Sequence, residues 1–87
     1  MMNEVGSPKN LSASAIVATD AGKMLGVFCA SSSSGTLKLW DNTAASGTVI
    51  VNTFNLTAAT FYEIPASFAN GCYATIGGTA DISIFVS

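Results

Sequence analysis

CYATIGGTADISIFVS, Cys72 to Ser87, is two alternating arms around a pair of glycines. A period of two means β-strand. Ile82, Ile84 and Val86 read as one face, the core face, and Asp81, Ser83, Phe85 and Ser87 as the other. Gly77-Gly78 lies between two strands with no helix after it, so it reads as a hairpin turn rather than a phosphate cradle. That hairpin pairs Cys72, Ala74 and Ile76 with Ile82, Ile84 and Val86. It leaves Phe85 pointing outward, with Tyr73 as its expected cross-strand neighbour. An outward phenylalanine facing water is unused apolar area. The expectation is that another subunit or the N-terminal arm covers it, with Asp81 and Ser83 as the polar rim.

Working outward, the same period recurs along the chain. Residues 12–19 (SASAIVAT) alternate small polar and apolar residues, and Asp20-Ala21-Gly22 reads as a turn. Residues 24–30 (MLGVFCA) are apolar on both parities, as in a strand covered on both faces. Ser31–Gly35 reads as a serine-rich hairpin loop. Thr36–Asp41 alternates again, with Leu37 and Leu39 facing one way and Lys38 and Trp40 the other. Asn42–Gly47 is a loop and Thr48–Phe54 a strand. Thr60–Ile64 is a strand closed by Pro65, with room for one helical turn over Pro65–Phe68 and Phe68 as a core plug. Asn70-Gly71 is a tight-turn signal. With the closing hairpin this predicts an all-β chain: a single-domain β-sandwich or jelly-roll-like barrel of about seven short antiparallel strands. Residues 1–11 (MMNEVGSPKNL) show no periodicity and contain Gly6 and Pro8. They are expected to be a flexible N-terminal arm, with the β-domain spanning 12–87.

Composition narrows the function classes. The chain has 87 residues, net charge −2, and only 9% charged residues. Its three cations, Lys9, Lys23 and Lys38, are scattered, so a nucleic-acid partner and a polybasic membrane contact are both excluded as expectations. No apolar run reaches the ~18 residues of a spanning helix. The first residues show neither the basic nor the apolar region of a secretory signal. A chain of this size has little stability margin from its own core, and 49% hydrophobic residues exceed what that core needs. Both points favour a homo-oligomer, with a trimer as the expected order.

Chemistry is scarce. There is no His to serve a Ser or Cys nucleophile, and Lys38 falls on the solvent parity of its strand. Asp41 and Glu63 could in principle act as a carboxylate pair, but read better as solvated charges at strand edges. Two cysteines without His make no metal site. Cys29 and Cys72 read as small, reduced, buried hydrophobes. No enzyme activity and no cofactor are expected. What remains are aromatics on outward parities: Trp40, Phe61, Tyr73 and Phe85, the candidate interface residues. A stacking platform for sugars, centred on Trp40, is the alternative use of the same feature.

The segments GTLKLWDNTAASGTVIV (35–51) and FYEIPASFANGCYATIGGTADISIFV (61–86) resemble small β-rich structural proteins of tailed bacteriophages. Those carry a strand–loop–strand segment of the first kind and a closing segment of the second. Cys72 departs from the pattern, which has an aliphatic residue there. The resemblance implies a virion component made in the host cytoplasm: a capsid decoration (cement) protein bound to the major capsid protein, or a tail or fibre component. It brings no catalytic residues. The remaining alternatives are a carbohydrate- or receptor-binding β-module and a bacterial or host-derived structural or assembly domain.

Overall fold

The computed structural model describes residues 7–87, and the first six residues of the expected arm lie outside them. The described chain is all-β, with six strands and no helix: β1 (Ser7–Leu11), β2 (Ala15–Ala18), β3 (Gly22–Asp41), β4 (Thr48–Asn55), β5 (Thr60–Phe68) and β6 (Cys72–Val86). All pairings are antiparallel and belong to one sheet. β3 and β6 are long and bend, so the sheet folds on itself into a small sandwich. The first layer is β1, the C-terminal part of β6, the N-terminal part of β3, and β5. The second is β2, the N-terminal part of β6, the C-terminal part of β3, and β4.

All seven strand segments read from the sequence contain strand, 12–19 only over Ala15–Ala18, but two expected hairpins do not exist. Residues 24–30 and 36–41 are one strand, β3, and Ser31–Gly35 is not a loop. Cys72–Ile76 and Ala80–Val86 are likewise one strand, β6, running through Gly77-Gly78. Both breaks are the corner where the sheet turns from one layer to the other. Ser34 (φ 56°) and Gly78 (φ 68°) take the left-handed conformations that make the bend.

The corner is not uniform. Leu11, Ile82 and Cys29 stand side by side in the first layer, and Ala15, Ala74 and Leu39 in the second. Between these two rows the chain takes 4 steps from Leu11 to Ala15, 8 from Ile82 to Ala74, and 10 from Cys29 to Leu39. The corner is therefore tight at β1–β2 and wide at β3, where bulges add the extra residues. Ser14 staples the tight side: its Oγ accepts from Ile76 N–H at 2.8 Å. At the wide side Leu56 is buried and its N–H donates to Gly35 O at 2.9 Å. Phe54 of β4 and Tyr62 of β5 meet edge to face at 5.2 Å and bridge the layers there.

One core fills the sandwich, led by Met24, Val27, Cys29, Leu37, Leu39, Cys72, Ala74, Ile82 and Ile84, each 1% exposed or less. Ile82 and Ile84 point inward as expected. Both thiols are free and buried, Cys29 in the first layer beside Ile82 and Cys72 in the second beside Ala18.

Two further expectations are corrected. Ser7–Leu11 is not an arm: it forms β1, antiparallel to β6, and Leu11 is buried. Pro65 does not close its strand, and Pro65–Phe68 is not helical. β5 runs on to Phe68, which does plug the core at 4% exposure. Among the described residues β5 pairs only with β3, and its register shifts between Glu63 and Ala66, so Pro65 sits at an irregularity of an edge strand where no N–H is required.

Candidate interaction faces

The two-residue alternation that sends Ile82 and Leu39 inward sends their neighbours out. The four aromatic candidates divide between the two outer faces. Trp40 and Tyr73 are direct cross-strand partners on the second layer. Phe61 and Phe85 are neighbours on the first, with ring centroids 6.3 Å apart and tilted by 52°. The expected pairing of Phe85 with Tyr73 does not occur, because it required the hairpin. Phe85 stands between Pro8 and Gly26, and Tyr73 between Ile16 and Trp40.

On the second layer a row runs across all four strands: Ile16, Tyr73, Trp40, Val49. Ile16 and Val49 are each about 40% exposed, while Trp40 and Tyr73 are half-buried. Trp40 is held in place. Its indole Nε1–H donates to Thr75 Oγ1 at 3.0 Å, and Lys38 Nζ lies 4.2 Å from its ring centroid. The lysine thus occupies the ring face a stacked sugar would use.

On the first layer Phe61, Phe28 and Phe85 form one patch. Phe28 and Phe61 are cross-strand partners, exposed by 38% and 53%. Phe61 lies across Gly26, where a β-carbon would collide with the ring and stand 2.8 Å from Tyr62 O. Gly26, with no β-carbon, leaves the room that the tip of the ring takes. Beside it a groove of about 570 Å³ is lined by Lys23, Leu25, Phe61, Glu63 and Pro65, among others.

Sequence reasoning missed Phe28, Ile16 and Val49. Phe28 was hidden in a run read as covered on both faces. Ile16 and Val49 become visible only once register places them beside Tyr73 and Trp40.

The residues weighed for chemistry are committed elsewhere. Asp41 accepts from Ala69 N–H (3.0 and 3.1 Å) and Asn70 N–H (2.8 Å), which fixes the turn before β6. Glu63 is on the outer face of the first layer, on a different strand pair from Asp41. Asp81 Oδ1 accepts from Asn10 Nδ2 at 2.8 Å, tying β1 to β6. Burial pushes both thiols up, Cys72 to about 11 with Asp41 adding to the rise, and Cys29 with Asp81 adding. At neutral pH both are uncharged and shielded. No group of three or more His, Cys, Asp or Glu among the described residues could hold a metal. Comparison with protein-family models, curated proteins and solved structures found no match.

Proposed function

We propose that this protein is a non-enzymatic structural subunit of a phage-type virion, a capsid decoration (cement) protein that adds buried area at subunit junctions. The observation that carries the reading is the pair of apolar outer faces. A domain of this size exposes Phe28, Phe61, Ile16 and Val49 on two layers, alongside half-buried Trp40, Tyr73 and Phe85. Monomeric proteins rarely leave such area open on both sides. The phage-like segments over residues 35–51 and 61–86 supply the particle, and scarce charge suits a surface that other subunits cover. Copies repeated by symmetry multiply weak contacts, so no single interface has to be strong.

Mass spectrometry of purified particles with absolute quantitation tests this. The expected result is a copy number comparable to that of the major capsid protein. A few copies per particle would make the chain a tail component instead, and absence from particles would overturn the reading. The sugar-binding alternative places the ligand on Trp40, which would first have to release Lys38; binding on a glycan array, lost in Trp40→Ala, would support it.

A further inference from the structure

Residues 24–30 are apolar on both parities, yet the folded chain covers one side only. Met24, Val27 and Cys29 are buried, while Phe28 on the opposite face stays 38% exposed. Phe61 reaches over Gly26 and is more exposed than any other large hydrophobic side chain among the described residues. Something else is needed to complete the burial.

That cover does not come as an added strand. Among the described residues the sheet edges are β1 and β5 in the first layer and β2 and β4 in the second, and each is blunted. β1 carries Pro8, and its Lys9 falls on the core-facing parity, opposite Ile84, while remaining solvent-exposed. β5 carries Glu63 and Pro65. β2 has four residues. β4 is broken by two register shifts against β3, and Asn52 Oδ1 occupies Thr53 N–H. Burial must therefore come face to face.

We infer that a second copy of this chain packs against the outer face of the first layer about a twofold axis, with Phe61 of each copy seated in the groove of the other. Charge selects this occupant. Lys23 and Glu63 flank the same groove and carry opposite signs. Along β3, Lys23 stands level with Ser67, and Glu63 level with Gly26. A twofold axis in the contact plane, crossing the strands between those levels, sets Lys23 of each copy over Glu63 of the other. Phe61 is both the inserted group and one wall of the groove, so the patch meets itself and the contact closes as a dimer. A trimer would need two separate patches. The inference rests on reading the chain as an assembly subunit and names the partner at one face; the Ile16–Tyr73–Trp40–Val49 row stays open for a different protein.

Sedimentation velocity of the full chain at micromolar concentration tests it. A monomer–dimer equilibrium is expected. Phe61→Ser, Lys23→Glu and Glu63→Lys should each raise its Kd about tenfold or more. The double exchange Lys23→Glu/Glu63→Lys should return to within about threefold of the starting value, because it restores both pairs. Thermal melts of the charge variants confirm that the domain is folded. A wild-type monomer, a trimer, or a double exchange no better than the worse single variant overturns the inference. A wild-type chain present in particles yet monomeric in solution removes the dimer and leaves the assembly reading. One that dimerises but is absent from particles does the reverse.

Discussion

Asn70-Gly71 and Gly77-Gly78 sit a few residues apart and use the same device, a glycine with positive φ, for opposite ends. Gly71 (φ 116°) reverses the chain: β5 stops, Asp41 caps the turn, and β6 begins. Gly78 (φ 68°) does not reverse it. β6 continues and changes layer, with Gly78 pressed against the backbone of Ser34 in the neighbouring strand. A positive φ marks a bend; it does not say which kind. Alternation does not separate the two, because the inward residues are even-numbered on both sides of each glycine. Pairing does: Gly77 and Thr79 still pair with β3, while residues 69–71 belong to no strand. Cys72, Ala74, Ile76, Ala80, Ile82, Ile84 and Val86 all share even parity. A two-residue hairpin at Gly77-Gly78 would have set Ile76 beside Thr79 and switched the inward set to odd numbers. Unbroken parity excludes that two-residue hairpin, and the pairing of Gly77 with Thr36 and of Thr79 with Ser33 identifies one bent strand.

One inserted residue tests this contrast most harshly. Placed between Gly77 and Gly78, it turns Ala80, Ile82 and Ile84 outward and Asp81 and Ser83 inward. The lost burial exceeds the roughly 5–15 kcal/mol that holds a small domain together, so circular dichroism should show no cooperative melt. The same insertion between Asn70 and Gly71 lengthens an exposed turn and should cost about 1–2 kcal/mol. If both variants melt alike, the corner is as slack as a loop.

Much of the fold was legible because burial of one strand face leaves a period of two. The segments 12–19, 36–41, 48–54, 60–64, 72–76 and 80–86 carry it, 24–30 reads instead as a short apolar run, and strand structure is found in all seven. Their connection was not legible at the corner, where Ser31–Gly35 and Gly77-Gly78 have the composition of loops and parity is the same for a bent strand as for an odd-length loop. β1 left no signal because it is an edge strand whose Leu11 is buried but whose Lys9, on the same parity, takes an exposed core-side position. Of the site, the outward aromatics could be named from parity. Their division into Phe61–Phe85 and Trp40–Tyr73 could not, since it depends on which strands pair.

Adding a single methyl at each glycine sharpens the contrast. A β-carbon on Gly78 meets the carbonyl of Ser34, backbone that is itself held at positive φ. One on Gly71 stands 2.7 Å from Ala18 O and 3.0 Å from the movable Thr43 side chain. Gly78→Ala should cost about 3–4 kcal/mol and Gly71→Ala about 2–3 kcal/mol in urea unfolding, steric conflict adding to the ordinary cost of a left-handed alanine. A reversed order would place the tighter packing at the turn. Asp41→Ala removes only the cap on Ala69 and Asn70, whose N–H groups can turn to water, and should cost about 1 kcal/mol.

The smallest effect is ionic and belongs to the turn. Cys72 follows Gly71 directly, and its thiol is pushed up to about 11, first by burial and then by the negative charge of Asp41. In the unfolded chain the thiol ionises near its ordinary value of 9.0. Between these two values the folded chain holds a proton that the unfolded chain has released, so stability falls as pH rises. Below about pH 9 the contribution is complete; by about pH 11 it is largely gone. Urea midpoints across that window should therefore drop further for the wild type than for Cys72→Ala. Cys29, raised by burial and Asp81, is present in both and leaves a common residual slope. Asp41→Ala should narrow the window from above, because only burial then holds the proton. Parallel curves for wild type and Cys72→Ala would mean that the turn leaves this thiol open to water.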